Sequence, residues 1–173
     1  YVEIDGQPHV VEILNVLDVT TESFENAREQ LTAKVRGYDE ELYLDALTGA
    51  YNRRYYENRI RKVRGHAGVA MIDLDDFKLY NDTCGHNAGD LVLNTVVGII
   101  RGCIRKTDIL IRYGGDEFLL ILQDVDEEIF SKKLKQIRDM VCEAKVPGYV
   151  RLRLTVSIGG VLADNETIES AVA

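Results

Sequence analysis

RYGGDEFLLIL, spanning Arg112 to Leu122, sets two glycines and two acids in the middle of what otherwise reads as a β-hairpin. The apolar runs DILIRY and EFLLIL on either side of Gly114-Gly115 have the composition of its two arms. Hairpin tips favour glycine, but they rarely need adjacent carboxylates, here Asp116 and Glu117, where two apolar strands turn. What positive charge those acids face depends on the segments around them.

Upstream, GHAGVAMIDLD (Gly65 to Asp75) is a short apolar run ending in acids, as a buried strand would. AGDLVLNTVVGIIRGCIRK places Val92, Val96, Ile99, Ile100 and Cys103 on one helical face. Downstream, DEEIFSKKLKQIRDMVCEAK repeats a helical stripe through Phe130, Leu134, Ile137 and Val141. VRLRLTVSIGG (Val150 to Gly160) alternates apolar and polar residues, as a half-buried strand should. The order β-α-β-β-α-β predicts an α+β fold, the ferredoxin-like split βαβ sheet flanked by helices. In that topology the third strand lies between the first two and runs antiparallel to the first. The hairpin tip therefore lands beside the end of the first strand, bringing Asp73, with Asp75 a further candidate, to the Asp116/Glu117 pair at one sheet edge. Gathered carboxylates repel one another. A divalent cation resolves the conflict, and oxygen ligands suit Mg²⁺ or Mn²⁺.

The 173 residues are 46% hydrophobic and 29% charged, enough for one sizeable core plus an appendage. A net charge of −8 argues against non-specific binding to nucleic acid or to an anionic membrane, but not against a small phosphorylated ligand. Cys84, Cys103 and Cys142 match no metal or redox spacing, so a cytoplasmic setting is the simplest. No apolar run approaches the roughly 20 residues of a membrane span. The chain starts at Tyr1 without a signal peptide and reads as a piece excised from something longer. At its N-terminus, Asp5-Gly6 between two β-rich runs predicts a hairpin. From Thr20 to Asp45 a polar stretch opening on a capping cluster carries a thin stripe of Phe24, Ala27, Leu31, Val35 and Leu42. It fits a surface helix or a signalling, dimerising stalk.

GGDEF at Gly114–Phe118 resembles the signature of the GGDEF family, the diguanylate cyclases. The likeness extends to DALTGAYNRR (Asp45 to Arg54), DLDDFKLYNDTCGHNAGD (Asp73 to Asp90) and LTVSIGG (Leu154 to Gly160), covering about Asp45 to Ala163. The resemblance implies that one GTP binds per domain and that two facing domains of a homodimer condense two GTP into cyclic di-GMP, releasing pyrophosphate. It assigns Mg²⁺ (or Mn²⁺) to Asp73, Asp116 and the carbonyl of Leu74, and removal of the 3′-hydroxyl proton to Glu117 or Asp116. Gly114 and Gly115 would leave room for a nucleotide across the turn. Asp90 and Asn81 would read guanine, since a carboxylate accepts its ring N–H and amino group; adenine would forfeit about 1–3 kcal/mol per missing bond. Asp76, Phe77 and Lys78 would cradle phosphates with their N–H groups, and His86 would touch the ligand or fix the loop. As ordinary helix-cap residues, Asn81 and Asp90 would have no such role.

RKTD (Arg105 to Asp108) matches the family's inhibitory site, where Arg105 and Asp108 would bind the product; its ordinary reading is a cationic helix end followed by a loop acid. The family continues past its last strand into a helix whose Lys and Arg contact the terminal phosphates, and the chain ends at ETIESAVA, where that helix should begin. LDVTTES (Leu17 to Ser23) is similar to the exit of a PAS sensory domain. The resulting organisation is a PAS-like remnant over 1–20, a linker or signalling helix over 21–44, and a GGDEF domain over 45–173. The rival readings are a non-catalytic receptor for cyclic di-GMP or GTP, a palm-type cyclase or polymerase, and a purely structural dimeriser. The intact signature weighs against the first, the lack of a basic strand-binding groove against the polymerase, and the acid cluster against the third.

Overall fold

The structure is a computed structural model that describes residues 42–149 and 152–172, together with Glu3–Ile4, Gln7–Pro8 and Arg28. The chain divides into two compact units, Tyr1–Leu42 and Tyr43–Ala173. In the first, β1 (Glu3–Ile4) and β2 (Gln7–Pro8) pair antiparallel, with Ile4 opposite Gln7, and Arg28 is helical. Beyond these residues, the PAS-like reading of 1–20 and the linker helix up to residue 41 lie outside the described residues.

The second unit runs β3 (Tyr51–Asn52), α1 (Arg53–Tyr55) continuing into a π-helical turn (Tyr56–Ile60), β4 (Arg64–Leu74), α2 (Phe77–Cys84), α3 (His86–Cys103), β5 (Ile109–Arg112), β6 (Glu117–Gln123), α4 (Glu127–Glu143), β7 (Val156–Thr167) and α5 (Ile168–Val172). The sheet order is β3-β5-β6-β4-β7, with β3 parallel to β5 and all other neighbours antiparallel. This is the expected split βαβ sheet, with β6 between β4 and β5 and the short β3 added at one edge.

β6 shows why the run FLLIL does not alternate. Phe118, Leu120 and Leu122 pack into a core with Val92, Val96 and Ile100 of α3 and Ile137 and Val141 of α4. Leu119 and Ile121 face the other way, onto Tyr56, Ile60, Val69 and Ile168. Both faces of the central strand are covered, so every position is apolar. α4 begins where Asp126 accepts a hydrogen bond from the Ile129 amide at 2.8 Å, with Glu127 and Glu128 in the first turn where the helix dipole favours them.

The last strand departs from expectation: the ladder begins at Val156, not near residue 150, and continues to Thr167. β4 ends at Leu74, opposite Val156, so the residues before Val156 have no strand to pair with. Leu154 is buried in the larger core regardless, and the Thr155 carbonyl accepts from the Asp75 amide at 3.1 Å.

Two glycines let α4 approach this sheet. A Cβ on Gly68 would lie 2.4 Å from Cδ2 of Phe130, and one on Gly160 would lie 2.8 Å from its Cζ. The ring is pinned between neighbouring strands and cannot slide from one glycine without meeting the other. Gly68→Ala is therefore expected to lower the free energy of unfolding by about 1–3 kcal/mol, measured by denaturant titration. Gly65→Ala, where a Cβ meets nothing within 4 Å, is the control, expected within about 0.5 kcal/mol of the parent.

Candidate active site

The sheet gathers acids at the C-terminal end of β4. Asp73 lies directly opposite Glu117 of β6 and Ser157 of β7. One residue on, the Leu74 amide donates to the Asp116 carbonyl at 3.3 Å, tying the hairpin tip to the strand end. Burial, then the carboxylates of Asp116 and Asp75, push the Asp73 carboxyl above its ordinary value. Asp75 accepts a 2.7 Å hydrogen bond from Ser157 Oγ. Among the described residues, no three His, Cys, Asp or Glu side chains form a ready metal cage. Two carboxylates with a backbone carbonyl form an incomplete set of hard oxygen donors. Mg²⁺ suits such a set, because it keeps positions for water and phosphate.

The tip itself is held by Arg112, which the sequence reading passed over. Its Nε and Nη2 donate to the Gly115 carbonyl at 3.2 and 2.8 Å, and its Nη1 reaches both carboxylate oxygens of Asp45 at 3.1 and 3.2 Å. Asp45 Oδ1 also accepts from the Thr48 amide at 2.9 Å and the Thr48 hydroxyl at 2.6 Å. The Asp-x-x-Thr turn has a local signature, but its tie to an arginine 67 residues away has none. Burial pushes the Asp45 carboxyl up, yet the Thr48 bonds and the Arg112 guanidinium outweigh it and hold the carboxyl below its ordinary range. The turn also explains one glycine. A Cβ on Gly114 would lie 2.4 Å from Glu117 Oε2, so Gly114 makes room for the protein's own carboxylate; a Cβ on Gly115 meets nothing within 4 Å.

Beyond β4 the chain turns at Asp76, whose φ of 58° is left-handed, and enters α2. Phe77 is half-buried against the larger core, so its backbone is what remains for a ligand, while Lys78 is exposed. Tyr80, also missed, anchors α2 by donating its hydroxyl to the Arg153 carbonyl at 2.6 Å. Asn81 lies inside α2 and Asp90 inside α3, and neither caps a helix; the residue preceding α3 is Gly85. His86, the first residue of α3, is exposed.

Arg105 and Asp108 sit elsewhere, before β5, at the opposite end of that strand from the tip. Asp108 spends its oxygens on the turn, accepting from the Arg105 amide at 2.7 Å and the Gln123 amide at 3.3 Å. The exposed Arg105 borders a cavity of about 540 Å³ that Arg101, Lys106 and Tyr51 also line.

The Arg112–Asp45 pair is mostly shielded, its side chains 17% and 22% exposed. Arg112→Ala should cost about 1–3 kcal/mol of stability by denaturant titration, because it strips a charged acceptor of its donor and frees the tip. A depressed native carboxyl contributes stability present above its unfolded pKa, near 3.9, and lost as pH falls through the native value. The stability gap between the parent and Asp45→Asn should therefore be constant near neutrality and close as pH drops below about 4.

Residues 42–173 match the family described as diguanylate cyclase, GGDEF domain. A relative in Escherichia coli (strain K12), the probable diguanylate cyclase DgcT, is 37% identical over 132 residues, which are 72% of this chain and 29% of that protein. The chain thus spans less than a third of the length of this relative. Among solved structures, diguanylate cyclase SiaD in complex with its activator SiaC from Pseudomonas aeruginosa superimposes with a TM-score of 0.76 at 29% identity, covering 93% of this chain and 65% of that one. The GGDEF domain of DgcB from Caulobacter crescentus, in complex with c-di-GMP, gives 0.68 at 27% identity over 75% and 83%. With the signature turn, the acid edge and the sheet order all in agreement, the chain belongs to the GGDEF-domain diguanylate cyclase family.

Proposed function

We propose that the protein is an active diguanylate cyclase that joins two GTP into cyclic di-GMP across a homodimer. The observation that carries this reading is the meeting of Asp73 and Asp116 at one sheet edge, close enough that one carboxylate raises the pKa of the other. Asp73, Asp116 and the Leu74 carbonyl would hold Mg²⁺ or Mn²⁺. When bound, that cation neutralises the triphosphate and the departing pyrophosphate. Asp90 and Asn81 hold the guanine edge, and the amides of Asp76, Phe77 and Lys78 receive phosphate oxygens. Glu117, or Asp116, accepts the proton of the 3′-hydroxyl as its oxygen attacks the α-phosphorus of the facing GTP. His86, at the start of α3, serves the loop or the ligand.

Each domain supplies half of the reacting pair, so turnover depends on how two chains are brought together. We assign that task to the linker helix over 21–44. Arg105 and Asp108 form a brake, binding cyclic di-GMP beside the cationic cavity; Asp108 is already pinned to backbone amides, which supports its acting as a fixed acceptor. Among the described residues no helix is long and apolar enough to cross a membrane, and we place the activity in the cytoplasm.

Incubation of the protein carrying this chain with GTP and Mg²⁺ should yield cyclic di-GMP and pyrophosphate. Asp73→Asn or Asp116→Asn should cut the rate at least about 100-fold, and Mg²⁺ should raise the melting temperature of the parent but not of Asp73→Asn. Nucleotide binding without turnover would return the receptor reading, and faster conversion of ATP the palm-cyclase one. Arg105→Ala should raise the final yield of product; undiminished inhibition in that variant would remove the brake.

A further inference from the structure

We infer that Gly89 is a positioning residue for base selection: the space left by its missing side chain holds the Asn81 amide beside Asp90. The inference rests on the guanine-binding role proposed for Asn81 and Asp90, and adds the device that sets their spacing. α2 and α3 meet at the single residue Gly85, whose φ of 82° lets the chain reverse sharply. The Gly85 amide donates to the Asn81 carbonyl at 2.9 Å, and the Gly89 amide to the Gly85 carbonyl at 3.4 Å. The last turn of α2 is thereby laid against the first turn of α3. A Cβ placed on Gly89 falls 2.0 Å from Asn81 Oδ1, 2.9 Å from its Cγ and 3.3 Å from its Nδ2. Gly89 is buried, so an added methyl has no other direction to take. The Asn81 side chain would have to swing away.

Contact is also what keeps the amide in place. Among the described residues, no group is hydrogen-bonded to the Asn81 side chain or to the Asp90 carboxylate; outside the helix ladder, Asp90 engages through its backbone carbonyl, which accepts from the Asn94 side chain. An amide with its donors and acceptor unspent, seated against the residue that precedes Asp90, whose carboxylate is in the same condition, matches a ligand edge that carries both N–H and C=O groups. Guanine has such an edge. Placement by shape leaves these atoms available, where a fixing hydrogen bond would have to be broken or shared when a base binds.

The test is a double-mutant cycle in the protein that carries this chain. The dissociation constant of a non-hydrolysable GTP analogue with Mg²⁺ is measured for the parent, Gly89→Ala, Asn81→Ala and the double variant, with melting temperatures alongside. Each single change should weaken binding about tenfold, the scale of one good hydrogen bond to a base. The double variant should bind no worse than Asn81→Ala, because the added methyl fits once the amide is gone. Any fall in the melting temperature of Gly89→Ala should be recovered in the double variant, because the crowding leaves with the Asn81 amide. Losses that multiply to about 100-fold in the double variant would overturn the inference. So would parental affinity in Gly89→Ala, or a drop in its melting temperature that Asn81→Ala does not restore. A parent that binds no guanine nucleotide would defeat the guanine reading itself and this inference with it; a binding parent with an indifferent Gly89→Ala defeats only the inference.

Discussion

Repulsion between carboxylates at the end of β4 is the constraint around which this domain is arranged. Asp73 comes from the first strand of the split unit and Asp116 from the tip of the β5–β6 hairpin, and only the insertion of β6 between β4 and β5 makes them neighbours. The backbone bond from Leu74 to Asp116 holds the strand end and the hairpin tip together. A fold that keeps like charges together retains a standing affinity for whatever neutralises them. The rest of the site can be read as a means of keeping that tension in place: the Arg112 guanidinium clips the tip, the Ser157 hydroxyl occupies one Asp75 oxygen, and the Tyr80 hydroxyl anchors α2.

The scaffold is rigid where the site requires it. α3 and α4 cover one face of the sheet, while α5 and the π-helical turn contribute to the core on the other. The acids emerge at strand ends and in the tip, where the backbone is fixed by ladders but the side chains reach solvent. Arg105 and Asp108 lie before the far end of the same short strand, β5, whose four residues separate Asp108 from the tip by about 13 Å. The two clusters therefore sit at opposite ends of one β-strand.

Much of this was legible before any coordinates. Alternation and helical stripes located the elements, and strand order alone implied that Asp73 would meet Asp116, because topology fixes which strand ends are adjacent. What escaped has a common physical character. The Arg112–Asp45 tie joins residues 67 apart, and neither side chain announces a distant partner. The bond from the Tyr80 hydroxyl to the Arg153 carbonyl joins residues 73 apart. The closeness of Glu117 Oε2 to Gly114 is likewise a contact that no local pattern reveals. Residues 152–155, expected within the last strand, lie outside its ladder because pairing needs a partner, and β4 has already ended. Local pattern records what a residue prefers; it does not record who is available.

The continuous burial of β6 carries a liability. FLLIL is shielded on both faces and hydrogen-bonded on both edges in the native sheet. Once the sheet opens, the same run becomes a sticky, uncharged β-former of the kind that self-associates between chains. Variants that loosen this domain are then expected to be lost to precipitation faster than they can refold, so that solubility, ahead of reversible melting, sets the working limit on its tolerance to change.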